Sequence, residues 1–156
     1  MKVIIMRGLP GSGKSTWIKK TFTDPGKVVI VCSADDFHLD KDGNYNFDPA
    51  LAGEAHNCCL RKFLITLERE IEGPTKGAIE AVIVDNTNTT LAELAPYVRL
   101  AEALGFKYTI VQTECSIQTA VERNIHGVPV GTMFTMRKNL WREIPPSYWN
   151  IELLRP

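Results

Sequence analysis

Four segments of the chain are apolar in the manner of strands. "KVIIM" (2–6), "KVVIVC" (27–32) and "IEAVIVD" (79–85) are nearly continuous runs rich in Val and Ile, the pattern of strands covered on both faces. "FKYTIVQ" (106–112) alternates Phe106, Tyr108 and Ile110 with Lys107 and Thr109, which predicts an edge strand. Helical patterns separate them. The clearest follows Asp48, an expected N-cap, with Pro49 at the first helical position. Leu60, Phe63, Leu64, Leu67 and Ile71 keep helical spacing up to the Gly73-Pro74 stop. A second helix runs through "AELAPYVRLAEALG", with Pro96 as a candidate start and Gly105 as its end. "SIQTAVERN" and "TMFTMRKNLWRE" predict two more helices around the turn "IHGVPVG", and the tail "IPPSYWNIELLRP" fits neither period.

Alternating strands and helices imply an α/β fold, a parallel sheet with helices on both faces. With 156 residues and no repeat or low-complexity linker, the expectation is a single domain over 1–156. No apolar run approaches the roughly 20 residues that span a bilayer, and the N-terminal apolar run is short for a signal peptide. The expected location is the cytoplasm. Cys32, Cys58, Cys59 and Cys115 show no C-x-x-C spacing, which argues against a zinc site or disulfide framework; Cys32 reads as a small core hydrophobe. Net charge is zero, which argues against a protein that coats nucleic acid. The charge is unevenly placed: residues 1–27 hold six basic side chains against Asp24, and residues 35–56 hold six acidic ones against Lys41.

Gly8-Leu9-Pro10-Gly11-Ser12-Gly13-Lys14-Ser15 fits the phosphate-loop pattern G-x-x-x-x-G-K-[ST] at each fixed position, between a strand and the helical "STWIKKTF". Glycines let backbone N–H groups wrap a phosphate chain at a helix N-terminus, where anions are favoured. Gly8, Pro10, Gly11, Ser12, Gly13, Lys14, Ser15 and Thr16 are therefore the expected nucleotide-binding residues. Lys14 is placed to reach the β- and γ-phosphates, and Ser15 to ligate Mg²⁺. Asp85 closes the run "AVIVD" and is the expected second metal residue, with Asn86 of "NTNTT" lining the site or capping the next helix. No N-K-x-D pattern for reading guanine occurs, and the chain is short for an oligomeric ATPase with a helical domain. A small kinase remains, and it needs a base. "CSADDFH" follows the second strand and supplies Asp35 and Asp36 at the sheet edge that carries the phosphate loop.

"GLPGSGKSTW", "ADDF", "VIVDNTN" and "ERNIHGVP", in this order, resemble the P-loop kinases of the polynucleotide 5′-hydroxyl kinase group. This group includes phage-type polynucleotide kinase and related AAA-type ATP-binding kinases, and the likeness runs from residue 2 to about 140. The resemblance implies the P-loop NTPase kinase fold, with a four-stranded parallel sheet in order 2-3-1-4 and a helical lid over about 116–142. It implies Asp35 as general base, Lys14 and Ser15 as the phosphate-loop pair, Asp85 as the acid ending the third strand, and Arg123 as a lid arginine over the ATP phosphates. His38 and His126 stand where the phage-type enzyme carries arginines, so with Asp36 and Asn86 they are the expected acceptor-side residues. Replacing a permanent, bidentate charge by imidazole weakens a phosphate contact.

The expected activity is ATP- and Mg²⁺-dependent phosphorylation of a hydroxyl, with the 5′ end of DNA or RNA as acceptor. The alternatives are a kinase for another hydroxyl (a hydroxymethylated base, a tRNA-linked group or a small metabolite) and an ATP-binding interaction module without turnover. Several residues stay open at this level. His56 reads as a core histidine or as part of "EAH". Tyr45 and Phe47 read as base-stacking or loop-packing rings, and Arg137, Lys138 and Arg142 as a solvated face or as phosphate contacts. Trp17, Trp141 and Trp149 read as packing anchors.

Overall fold

A computed structural model describes residues 1–73, 76–125 and 127–155. The elements run β1 (Lys2–Arg7), α1 (Lys14–Thr21), β2 (Val28–Cys32), a 3-10 turn (Asp35–His38), α2 (Ala52–Glu72) entered through a second 3-10 turn (Pro49–Leu51), β3 (Ile79–Val84), α3 (Leu91–Ala103), β4 (Tyr108–Thr113), α4 (Ile117–Glu122), α5 (Val130–Arg142) and β5 (Ile151–Leu154). The strands form one sheet in the order β2-β3-β1-β4-β5, and each neighbouring pair is parallel. This is the doubly covered parallel sheet that the continuous apolar runs require.

The alternation in strand burial divides the core by sheet face. Val3, Ile5, Val82, Val84 and Ile110 meet Phe63, Leu67, Leu94 and Val98 of α2 and α3 on one face. Ile4, Met6, Ala81, Ile83 and Val111 meet Ile18 of α1 on the other. A third, smaller cluster joins Leu9 to Ala120 of α4 and Met133 of α5. These last two helices therefore rest on the loop that follows β1.

The structure corrects the sequence reading at several points. The unassigned tail contains a fifth strand, and β5 pairs Ile110–Thr113 with Ile151–Leu154, so β4 lies inside the sheet rather than at its edge. The apparent edge alternation came partly from Phe106 and Lys107, which precede the strand; β5 itself is too short to show a period. Pro96 does not start α3. Thr90 caps it: the Thr90 hydroxyl accepts from Glu93 N and the Glu93 carboxylate accepts from Thr90 N, a capping box that fixes the true start five residues earlier. His56 is exposed, because the buried stripe of α2 runs through Ala55, Cys59, Phe63, Thr66, Leu67 and Glu70 and His56 lies one residue off it. Trp149 is buried and Trp17 half-buried, but Trp141 is 81% exposed and is no core anchor among the described residues. Asp48 caps as expected, its carboxylate accepting from Ala50 N. Helix α2 ends at Glu72 with Gly73 N donating to Arg69 O; Pro74, read as part of the stop, lies outside the described residues. No helix among the described residues is long and apolar enough to cross a membrane.

Phe63 is fully buried, with its ring edge-on to Tyr97 at 5.3 Å between centroids. Phe63→Ala is expected to lower unfolding free energy by about 3–5 kcal/mol, read as a shift of the urea midpoint at unchanged slope.

Candidate active site

Parallel pairing brings the C-terminal ends of β1, β2 and β3 to one edge. Ile5 pairs with Val84 and Cys32 pairs with Val84, so the segments beginning at Gly8, Ser33 and Asp85 leave the sheet side by side. The loop from Gly8 to Gly13 is shaped by three positive φ angles, at Gly8, Gly11 and Gly13. It is held from outside: Gly8 N donates to Thr87 O at 2.8 Å, and the Ser12 and Thr113 hydroxyls are 2.6 Å apart. Gly11 is a site of close approach, where an added Cβ would lie 2.5 Å from Ala120 O and 3.1 Å from Arg123 Cβ. Helix α1 then starts at Lys14, so the free N–H groups of its first turn face the loop interior. Pro10 and Ser12 are buried and Thr16 is exposed on α1.

Lys14 is buried, with Nζ donating to Gly8 O at 3.2 Å and Leu9 O at 2.9 Å. Burial lowers its pKa, and the nearby carboxylates of Asp85 and Asp35 pull the other way. One ammonium thus feels both expected acids. The Ser15 hydroxyl donates to Asp85 Oδ2 at 2.7 Å, while Asp85 is fixed by its own N–H to Cys32 O at 2.9 Å and by Ser33 Oγ donating to its carbonyl. A hydroxyl and a carboxylate in contact form an all-oxygen donor pair, which fits Mg²⁺ completed by phosphate oxygens and water. No cluster of three or more His, Cys, Asp or Glu among the described residues offers a metal cage instead.

Beyond β2, Asp35 opens the 3-10 turn and is half-buried. Its N–H donates to Ser33 Oγ at 3.2 Å, and contacts from Asn86 and Tyr45 place it further. Asn86 holds the turn, its Oδ1 accepting from Ala34 N at 2.9 Å while its Nδ2 faces Cys59 Sγ and Tyr97 OH. Asn86 is buried, so it supports the turn of Asp35 from the core side. Tyr45 OH donates to Asp35 Oδ1 at 3.0 Å; burial, and then the bond to Asp35, push this phenol up to about 12. Asp36 points away and pairs with Lys62 at 3.1 Å, an exposed contact of small energetic weight. His38 is 7% exposed and packs edge-on against Phe37, Tyr45 and Phe47. The loop that carries these rings is closed by Asp40, whose carboxylate accepts from Asp42 N, Asn44 N and Asn44 Nδ2. The Asn44 side-chain bond leads the contacts that hold the Asp40 carboxyl below its ordinary pKa.

Arg123 follows α4 with its backbone against Gly11 and its side chain exposed. His126 lies outside the described residues. Arg137 donates to Cys115 O at 2.7 Å, and Lys138 and Arg142 are exposed. The residues that sequence reasoning passed over are Lys62, Leu9 and Arg7. Lys62 carried no signal beyond helix periodicity; Leu9 occupies a variable motif position, and Arg7 read as one more basic residue.

A family model described as an AAA domain matches residues 3–126, well over half of the chain. The chain belongs to this AAA-domain family. NEDD4-binding protein 2 of Homo sapiens is 31% identical over 130 residues, covering 81% of this chain and 7% of that relative; the AAA domain thus spans a small part of its length. In fold the chain is similar to the APS kinase CysC of Mycobacterium tuberculosis in complex with AMPPNP and APS, with TM-score 0.62, 16% identity, and coverage of 99% and 88% of the two chains. It is also similar to a chain of the Pnkp1/Rnl/Hen1 complex, with TM-score 0.60, 22% identity, and coverage of 82% and 40%. The AAA domain has the α/β fold of the P-loop kinases, with a fifth strand added to the expected four.

Two outcomes follow from this geometry. Gly11→Ala forces a left-handed φ of 74° on a side chain aimed at a backbone carbonyl, so ATP affinity is expected to fall about tenfold or more with the far-ultraviolet dichroism unchanged. Because burial, and then the bond to Asp35, make the folded Tyr45 phenol ionise above an unfolded tyrosine, its neutral form contributes stability that is complete below about pH 10 and is lost as pH rises towards about 12. In an alkaline absorbance titration, Tyr45→Phe should remove one phenol from the group ionising near pH 12. Loss of one near pH 10 instead, where an ordinary tyrosine titrates at about that value, would contradict the contact.

Proposed function

We propose that this AAA-domain protein transfers the γ-phosphate of ATP to a hydroxyl, with Asp35 as general base and the 5′-hydroxyl of DNA or RNA as acceptor. The observation that carries the reading is the Ser15–Asp85 contact at the phosphate loop, beside a buried Lys14 held by the carbonyls of Gly8 and Leu9, with Asp85 and Asp35 both favouring the charge on that ammonium. In the reaction, Asp35 takes the proton of the acceptor hydroxyl as its oxygen bonds the γ-phosphorus. The bond from that phosphorus to the β,γ-bridging oxygen breaks, and ADP leaves. Lys14 and Arg123 offset the charge on the transferred group, while the loop N–H groups and Ser12 hold the chain of phosphates. Ser15 and Asp85 would hold Mg²⁺, which when bound neutralises the β- and γ-phosphate oxygens.

A second reading, a kinase for another hydroxyl, is favoured by one observation on the acceptor side. His38 is buried under aromatic rings, so it does not stand free for an acceptor phosphate. The test is transfer of labelled γ-phosphate to a 5′-hydroxyl DNA oligomer, the matching RNA, and duplex DNA with hydroxymethylated bases. Asp35→Asn should reduce transfer by about 10²-fold or more. Label at the 5′ end supports the first reading and label on the modified base alone supports the second. ATP binding with no transfer to any acceptor would leave a nucleotide-binding module.

A further inference from the structure

We propose that Arg7 is a positioning residue that sets the distance between the phosphate loop and the metal-side carboxylate Asp85. Arg7 is the last residue of β1, directly before Gly8, and is 1% exposed. Its guanidinium gives four hydrogen bonds to three separate segments. Nε donates to Asn88 O at 3.2 Å, and Nη2 to Thr89 O at 3.2 Å and to Glu143 O at 2.8 Å. Nη1 donates to Gln112 Oε1 at 2.7 Å. Each acceptor is a neutral oxygen, and no ion pair of Arg7 occurs among the described residues; the carboxylates of Glu143 and Glu93 act on it only through space.

An apolar side chain would end a buried strand at lower desolvation cost. What arginine adds is a planar fork that reaches several oxygens in one fixed geometry. Here the fork grips the segment leaving β3. That segment carries Asp85, which meets Ser15, and Asn86, which holds the turn of Asp35. Its position against β1 rests on four bonds: two from Arg7, one from Gly8 N to Thr87 O at 2.8 Å, and one from Asn88 Nδ2 to Met6 O at 2.8 Å. Asn88 sits among them at φ +43°, a conformation uncommon for a residue other than glycine, with its carbonyl turned to Arg7 Nε. Behind the guanidinium, Glu143 Oε2 accepts from Leu91 N at 2.6 Å. The fork thereby ties the end of α5 to the same place. If the spacing of Ser15 and Asp85 depends on this fork, shortening it should weaken use of Mg²⁺ before it weakens the fold.

The kinetic part rests on the kinase reading; the binding part does not. Arg7→Lys keeps the charge and loses the fork, Gln112→Met removes one acceptor only, and Val98→Ala, in the core of α3, calibrates loss of stability alone. Binding of a fluorescent ATP analogue is titrated against Mg²⁺ well below each melting temperature, and kcat and KM are measured on any acceptor that accepts phosphate. For Arg7→Lys the half-saturating Mg²⁺ concentration should rise about tenfold, with kcat falling more than KM changes, and Gln112→Met should move the same way by less. If both variants match Val98→Ala in Mg²⁺ dependence, the proposal is overturned, and Gln112→Met alone decides in the same way should Arg7→Lys not fold. A wild type that binds Mg²⁺ and ATP without transfer would remove the kinase reading and leave the Mg²⁺ titration to decide on Arg7.

Discussion

The structure depends on the parallel ladder that holds β1 between β3 and β4. A parallel pair has one polarity, so all its C-terminal ends reach the same edge, and ligand sites of open α/β sheets gather there. In this chain the ladder pairs Ile5 with Val84 on one side and Arg7 with Gln112 on the other. The register cannot slip by one residue without exchanging Val3 and Ile5 for Ile4 and Met6 across the sheet, and both sets are buried against different helices. Apolar packing thus fixes to the residue where Gly8 leaves the sheet relative to Asp85. The chemistry of the edge is set by the burial of side chains that take no part in it.

Two cations are buried close to the end of β1, and they are satisfied differently. Lys14 is held by carbonyls of its own loop, bonds that a phosphate chain can replace because the ammonium is mobile and makes point contacts. Arg7 is held by oxygens from three segments distant in sequence, which no ligand replaces. One cation is therefore available and the other is committed. The charges felt by the committed one are those of Glu143 and Glu93, whereas Lys14 feels Asp85 and Asp35.

What was legible in the sequence follows the same division. β1, β2 and β3 were readable because strands covered on both faces give unbroken apolar runs, and the phosphate loop because its glycines answer a backbone requirement local in sequence. β5 was not, since four residues show no period and its partner lies about forty residues away. Pro96 misled because it obeys a local rule for helix starts, whereas the capping box of Thr90 and Glu93 obeys a stronger one. Asn86 and His38 were read as facing a substrate; both are buried, and the groups that bury them come from α2, α3 and the 45–47 loop. Burial of a polar side chain by distant segments leaves no trace in its own neighbourhood of the sequence.

The two halves of the site consequently differ in what holds them. The phosphate-loop half is tied to the ladder by backbone bonds and by Arg7, so a substitution there propagates into the sheet. The other half is a segment between β2 and α2, stabilised by the Asp40 turn, by the rings of Tyr45 and Phe47 packed around His38, and by the bond from Asn86 to Ala34 N. Only Asp35 needs to stay in register with Lys14, and Asn86 fixes its turn from behind. The residues from Leu39 to Asp48 can therefore change shape and charge without disturbing the ladder. On the proposed kinase reading, phosphate handling would belong to the fold and the choice of acceptor to one loop.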